Sequence, residues 1–146
     1  MAKCDPIIGV WKLNIAKSKF SPVLLNILNE TIPKEKTEIY EEAGDEIVLT
    51  ATATMADGKL ISGKYAWPRN GGVAKAQEDV ASFTGVTIIE TVIAPGEWYA
   101  TFLKDGKQFI VIHKAISEDS KTMSLRYRGI DARGNPFEQI DVYERQ

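Results

Sequence analysis

The chain has 146 residues, 44% hydrophobic and 26% charged, a balance that predicts one soluble domain over 1–146 with a core that needs no disulfide or metal. A formal net charge of −2 gives no general attraction to nucleic acid, and residues 30–46 set seven acids against Lys34 and Lys36, which repels phosphate locally. One cysteine (Cys4) and one histidine exclude a disulfide framework and the usual zinc constellations, and no apolar run reaches the length of a membrane span.

Residues 8–14 open the pattern. Gly9-Val10-Trp11 begins the first apolar run and reads as a strand. Ser21-Pro22 then offers an oxygen for orphan amides and a residue preset to helical φ. Phe20, Leu24, Ile27 and Leu28 share one face at helical spacing, and Pro33 forbids continuation. The expectation is one short helix of about seven or eight residues.

Everything beyond it alternates at period two. Strands are predicted over 35–42, 46–55, 59–67, 86–93, 97–104, 107–116, 121–130 and 136–144, with a shorter one over 77–83. Between them lies turn chemistry such as Asp57-Gly58, Pro95-Gly96, Asp105-Gly106 and Arg133-Gly134-Asn135. Connections this short join antiparallel neighbours. The class is therefore all-β, a meander that closes as a barrel or stacks as a sandwich.

The alternation also bears on the interior. In 47–55 one face carries Ile47, Leu49, Ala51, Ala53 and Met55. Small residues in the middle of an inward face leave room that a solid core would fill, unless Tyr65 or Trp67 fills it. Neighbouring strands supply Trp67, Trp98, Phe102, Phe109, Val111, Tyr127 and Tyr143 as candidate lining for a small apolar molecule. Glu90 stands mid-strand, with an outward, solvated position preferred over an inward one. Arg126 and Arg128 are expected outward if Tyr127 shares the inner face with Met123 and Leu125.

The run Cys4-Asp5-Pro6-Ile7-Ile8-Gly9-Val10-Trp11-Lys12-Leu13 resembles the start of the intracellular fatty-acid-binding proteins. Gly-x-Trp is shared with the lipocalins, and Val142-Tyr143-Glu144-Arg145 is similar to the fatty-acid-binding family's close. The resemblance implies a lipocalin-like (calycin) β-barrel of about eight to ten strands. It gives Gly9 and Trp11 a structural role at the closed end, with Arg128 or Arg145 stacked over the tryptophan.

The same resemblance implies a carboxylate clamp, and here the residues depart from it. The arginine expected two positions before Tyr143 is Asp141. The second, expected seven residues after Gly106, is His113. A fatty-acid carboxylate would meet Asp141 instead of a guanidinium, which is repulsive in a low-dielectric cavity.

Two functional readings stand. In the first, the barrel binds a neutral or weakly polar hydrophobic molecule, tethered by His113, Tyr127 and Tyr143. In the second, it is a cofactor-free isomerase, cyclase or lyase in which His113 and Asp141 move a proton and Tyr143 steadies a developing oxyanion. Against both, a lone histidine in an apolar strand is more often an ordinary interior or rim residue. Phosphate-cradling loops, nucleophile elbows and dinucleotide fingerprints are absent. Neither cofactor nor metal is expected, nor a nucleic-acid partner or membrane insertion. Residues 1–20 lack the apolar core of a signal peptide, so the expected address is cytoplasmic, where the Asn29-Glu30-Thr31 sequon is meaningless. With Phe109, Val111 and His113 inward, Ile110 and Ile112 would face out and offer a surface to a second copy.

Overall fold

A computed structural model describes residues 5–28, 30–78 and 85–146. Cys4, Asn29 and residues 79–83 of the expected short strand lie outside the described residues.

Strands β1 (Gly9–Leu13), β2 (Glu35–Ala43), β3 (Glu46–Thr54), β4 (Leu60–Pro68), β5 (Gly72–Val73), β6 (Lys75–Glu78), β7 (Val86–Ala94), β8 (Glu97–Lys104), β9 (Lys107–Ile116), β10 (Thr122–Ile130) and β11 (Pro136–Arg145) form one sheet. Every pairing is antiparallel, and the order is β5-β7-β8-β9-β10-β11-β1-β2-β3-β4-β6. The first strand meets the last, so the meander wraps into a nearly closed barrel. One segment forms its seam. β5 pairs with β7, Ala74 donates to the Ile88 carbonyl, and β6 then pairs with β4. Counted as one bent strand, β5 and β6 bring the total to ten, the upper end of the sequence expectation.

The helix α1 (Pro22–Leu28) follows β1 as its capping chemistry predicts. Ser21 Oγ accepts from the Leu24 N–H at 3.3 Å, while the Ser21 N–H donates to Gln139 Oε1 of β11 at 3.0 Å. The helix start is thereby tied to the barrel wall. Leu24 and Leu28 are buried on its inner side.

Trp11 closes the opposite end. It is fully buried, and its Nε1 donates to the Ile7 carbonyl at 2.8 Å. The cation above the ring is Arg145, with its guanidinium carbon 4.3 Å from the ring centroid. Arg145 also donates to the carbonyls of Ser120 (2.6 Å), Ile8 (2.8 Å) and Pro6. A Cβ on Gly9 would collide with this guanidinium, so a glycine there keeps the plug closed. Arg128, the other candidate, is exposed and pairs with Glu138 at 2.8 Å, too far along β10 to cover Trp11.

The largest correction concerns β9. Its buried residues are Ile110, Ile112 and Lys114, while Phe109, Val111 and His113 lie on the other face, opposite to expectation. The cause is a bulge. Leu103 pairs with Gln108 but Phe102 pairs with Ile110, so Phe109 is an extra residue that reverses the parity of all that follows. Gly129 makes room for it: a Cβ there would strike the Phe109 carbonyl and, at 2.6 Å, the Phe137 ring. The outward isoleucines invoked for self-association are therefore core residues.

Candidate functional site

The barrel encloses a cavity of about 150 Å³. Leu49, Ala51 and Ala53 line it along β3 with Met55 just past its end, and Ile61, Gly63, Tyr65 and Trp67 along β4. The alanines and the glycine leave the space; Tyr65 and Trp67 border it without filling it. Phe20, Leu25 and Leu28 come from the helical segment, Phe102 from β8 and Tyr127 from β10.

Set into these apolar walls are charged groups that alternation alone did not single out. Lys36, Glu38 and Tyr40 follow one another on the inner face of β2, and β11 contributes Gln139 and Asp141. Glu38 collects donors, with Tyr40 Oη at 2.7 Å, Tyr143 Oη at 3.3 Å and Lys36 Nζ at 3.8 Å. Gln139 Nε2 donates to Asp141 Oδ1 at 3.0 Å.

Burial pushes the Asp141 carboxyl above its ordinary range, opposed by the nearby Lys36 ammonium and the Gln139 amide. Desolvation would lower Lys36, but the surrounding carboxylates, Glu38 first and then Asp141, outweigh it and hold its pKa above the usual lysine value. Tyr40, Tyr127 and Tyr143 are all pushed well up by burial and neighbouring carboxylates, so their hydroxyls remain donors at neutral pH.

A second polar group sits between β7 and β9. Lys114 Nζ donates to Glu90 Oε1 at 3.2 Å, with both side chains at most 5% exposed. The ammonium also lies 5.0 Å from the Trp67 ring centroid and 5.6 Å from that of Tyr40. Trp98 stands edge-on to Trp67 at 6.3 Å. Burial raises the Glu90 carboxyl, and Lys114 only partly offsets this. Glu90 is thus inward, contrary to the outward placement preferred from sequence.

Of the residues singled out from sequence, Trp67, Phe102, Tyr127 and Asp141 border the cavity. Trp98 and Tyr143 are buried behind it. Phe109 packs edge-to-face on Phe102 at 6.4 Å from the bulge, and Val111 lies on the outer face. His113 is outside as well. Its Nε2 is 2.8 Å from Glu97 Oε2, its ring lies against the half-exposed Tyr99 at 4.8 Å, and its side chain is 31% exposed. Asp141 and Tyr143 share the interior, but the barrel wall separates them from His113, so the proton relay drawn from sequence is not assembled. Lys114, eight residues after Gly106 instead of seven, holds the inward cationic position. Among the described residues no cluster of three His, Cys, Asp or Glu is placed to hold a metal ion, and no helix is long and apolar enough to cross a membrane.

No protein-family model matches the sequence, and no curated protein is similar to it by sequence. Solved structures are similar in fold. A protein described as the REP1-NXSQ fatty acid transporter superposes with a TM-score of 0.63 at 13% identity, covering 96% of each chain. A fatty acid binding protein of Schistosoma mansoni, in complex with arachidonic acid, gives 0.63 at 17% identity over 97% of this chain and 96% of that one. A zebrafish ileal bile acid-binding protein with cholic acid gives 0.56 at 11% identity, covering 97% and 99%. At these identities the likeness is one of fold, and it is the calycin fold.

Proposed function

We propose that this protein binds a small hydrophobic molecule, neutral or weakly polar, inside its barrel. A cytoplasmic setting belongs to the same reading. The observation that carries it is the composition of the cavity wall: apolar side chains around a 150 Å³ space in which both lysines already face carboxylates.

Structurally similar proteins are described as binding fatty acids or a bile acid. The interior here opposes a plain carboxylate ligand. Lys114 is matched by Glu90, and Lys36 by Glu38 and Asp141 together, so an incoming carboxylate would find no cation left to meet it in a low-dielectric space. An apolar body with little charge meets no such penalty and gains from leaving water.

Native mass spectrometry of freshly purified protein tests this, followed by thermal melting with added apolar compounds. The expected results are a retained small-molecule mass, or a melting temperature that rises with compound concentration as mass action requires. A protein that carries no mass and melts identically with every compound would refute the proposal.

A further inference from the structure

Among the described residues, three buried side-chain atoms have no hydrogen-bond partner: Glu90 Oε2, Trp67 Nε1 and Trp98 Nε1. They do not lie scattered through the core. Lys114 touches both Glu90 and the Trp67 ring, and Trp98 packs edge-on to Trp67. Glu90, 4% exposed, and Trp67, 1% exposed, both line the cavity. An unsatisfied buried polar atom costs about 1–3 kcal/mol, so an unpartnered acceptor and an unpartnered donor on two residues of one cavity wall point to a ligand group that offers both.

We propose that this corner is a hydroxyl-binding subsite, and that the cavity ligand is an alcohol or phenol whose oxygen accepts from Trp67 Nε1 while its hydrogen goes to Glu90 Oε2. The proposal rests on the binding reading above and names the ligand's polar end. A hydroxyl supplies one donor and an acceptor on a single atom, without charge. A carboxylate would set a second anion against Glu90 and offer it no hydrogen. An ammonium would set a second cation against Lys114 and offer Trp67 no acceptor. The Glu38–Asp141 group contrasts with this corner, because tyrosines, Gln139 and Lys36 already occupy its carboxylates.

Isothermal titration of the wild-type protein with octanol, methyl octyl ether, octanoate, octylammonium and butylbenzene tests the assignment. Octanol is expected to bind tightest, exceeding the ether, which cannot donate to Glu90, by roughly two- to tenfold. Trp67→Phe removes the N–H together with the pyrrole half of the indole; it should weaken octanol more than butylbenzene, by a similar factor. Octanoate or octylammonium binding tightest, octanol merely equal to the ether, or equal losses for octanol and butylbenzene in Trp67→Phe would each overturn the subsite. In the last two cases butylbenzene binding would leave the broader proposal standing, whereas a charged compound binding tightest would overturn that as well. If no compound binds, both fall. Should Trp67→Phe fail to fold, the wild-type ranking decides alone.

Discussion

Two cations set against tryptophan, the half-buried Arg145 and the buried Lys114, divide the molecule into a finished region and an unfinished one. At the closed end Arg145 places its guanidinium over Trp11 and donates to three backbone carbonyls, and the Trp11 N–H has a partner too. Around Lys114 the same ingredients leave Trp67 and Trp98 without acceptors and one Glu90 oxygen without a donor. Polar groups that hold the chain together are spent on the chain. Those in the corner around Glu90 and Trp67 keep capacity, although the Glu38–Asp141 group on the same cavity does not, and that difference marks one corner of the wall as unfinished.

The contrast is broken most severely at the plug. Trp11→Ala should cost about 3–5 kcal/mol, as truncation of a buried aromatic does, read as a lower urea midpoint, while the folded fraction keeps its affinity for apolar ligands. A ligand-affinity loss without a stability loss would reverse the roles assigned to the two ends.

Next comes the interior pair. Lys114→Met strands the Glu90 carboxyl and should destabilise the protein by about 3 kcal/mol at neutral pH, with most of that recovered in Lys114→Met/Glu90→Gln. The pH dependence follows from the raised Glu90 pKa. The folded state holds the Glu90 proton more tightly than the unfolded state. Its stabilising contribution is therefore complete below the ordinary glutamate value of 4.5 and is lost as pH rises through the higher folded value. The stability of wild type relative to Glu90→Gln should accordingly fall as pH climbs above 4.5. A flat difference would show that Glu90 is not held as described.

The smallest effect is expected at His113. Its pair with Glu97 is partly solvated, so His113→Ala should change stability by no more than about 1 kcal/mol and leave ligand titrations unaltered. A large loss of binding would return His113 to the site.

How much of this was legible depended on the strand. On β3 the apolar-small alternation pointed one way only, and the inward face was read correctly through Ala51 and Ala53. The Asp105-Gly106 turn was equally plain. In β9 the run Phe109 to Ile112 is apolar on both faces, so nothing local sets its parity, and the bulge at Phe109 depends on Gly129 of another strand. That single extra residue exchanged His113 for Lys114. The Lys36-Glu38-Tyr40 series did carry a signal, charges and a tyrosine at period two, but an acidic stretch ordinarily reads as a solvated face. Glu90 was judged by the same habit, and its partner on β9 was hidden by the parity error.

The seam has a consequence for the protein's life at high concentration. A strand border with free amides and carbonyls is a template for another chain, and a sheet rolled into a barrel exposes such borders only where it fails to close. Here β5 and β6 cap both facing borders in turn, β7 at Ile89–Glu90 and β4 at Lys64–Ala66. At those positions a few residues of irregular strand deny another chain the edge it would need to pair.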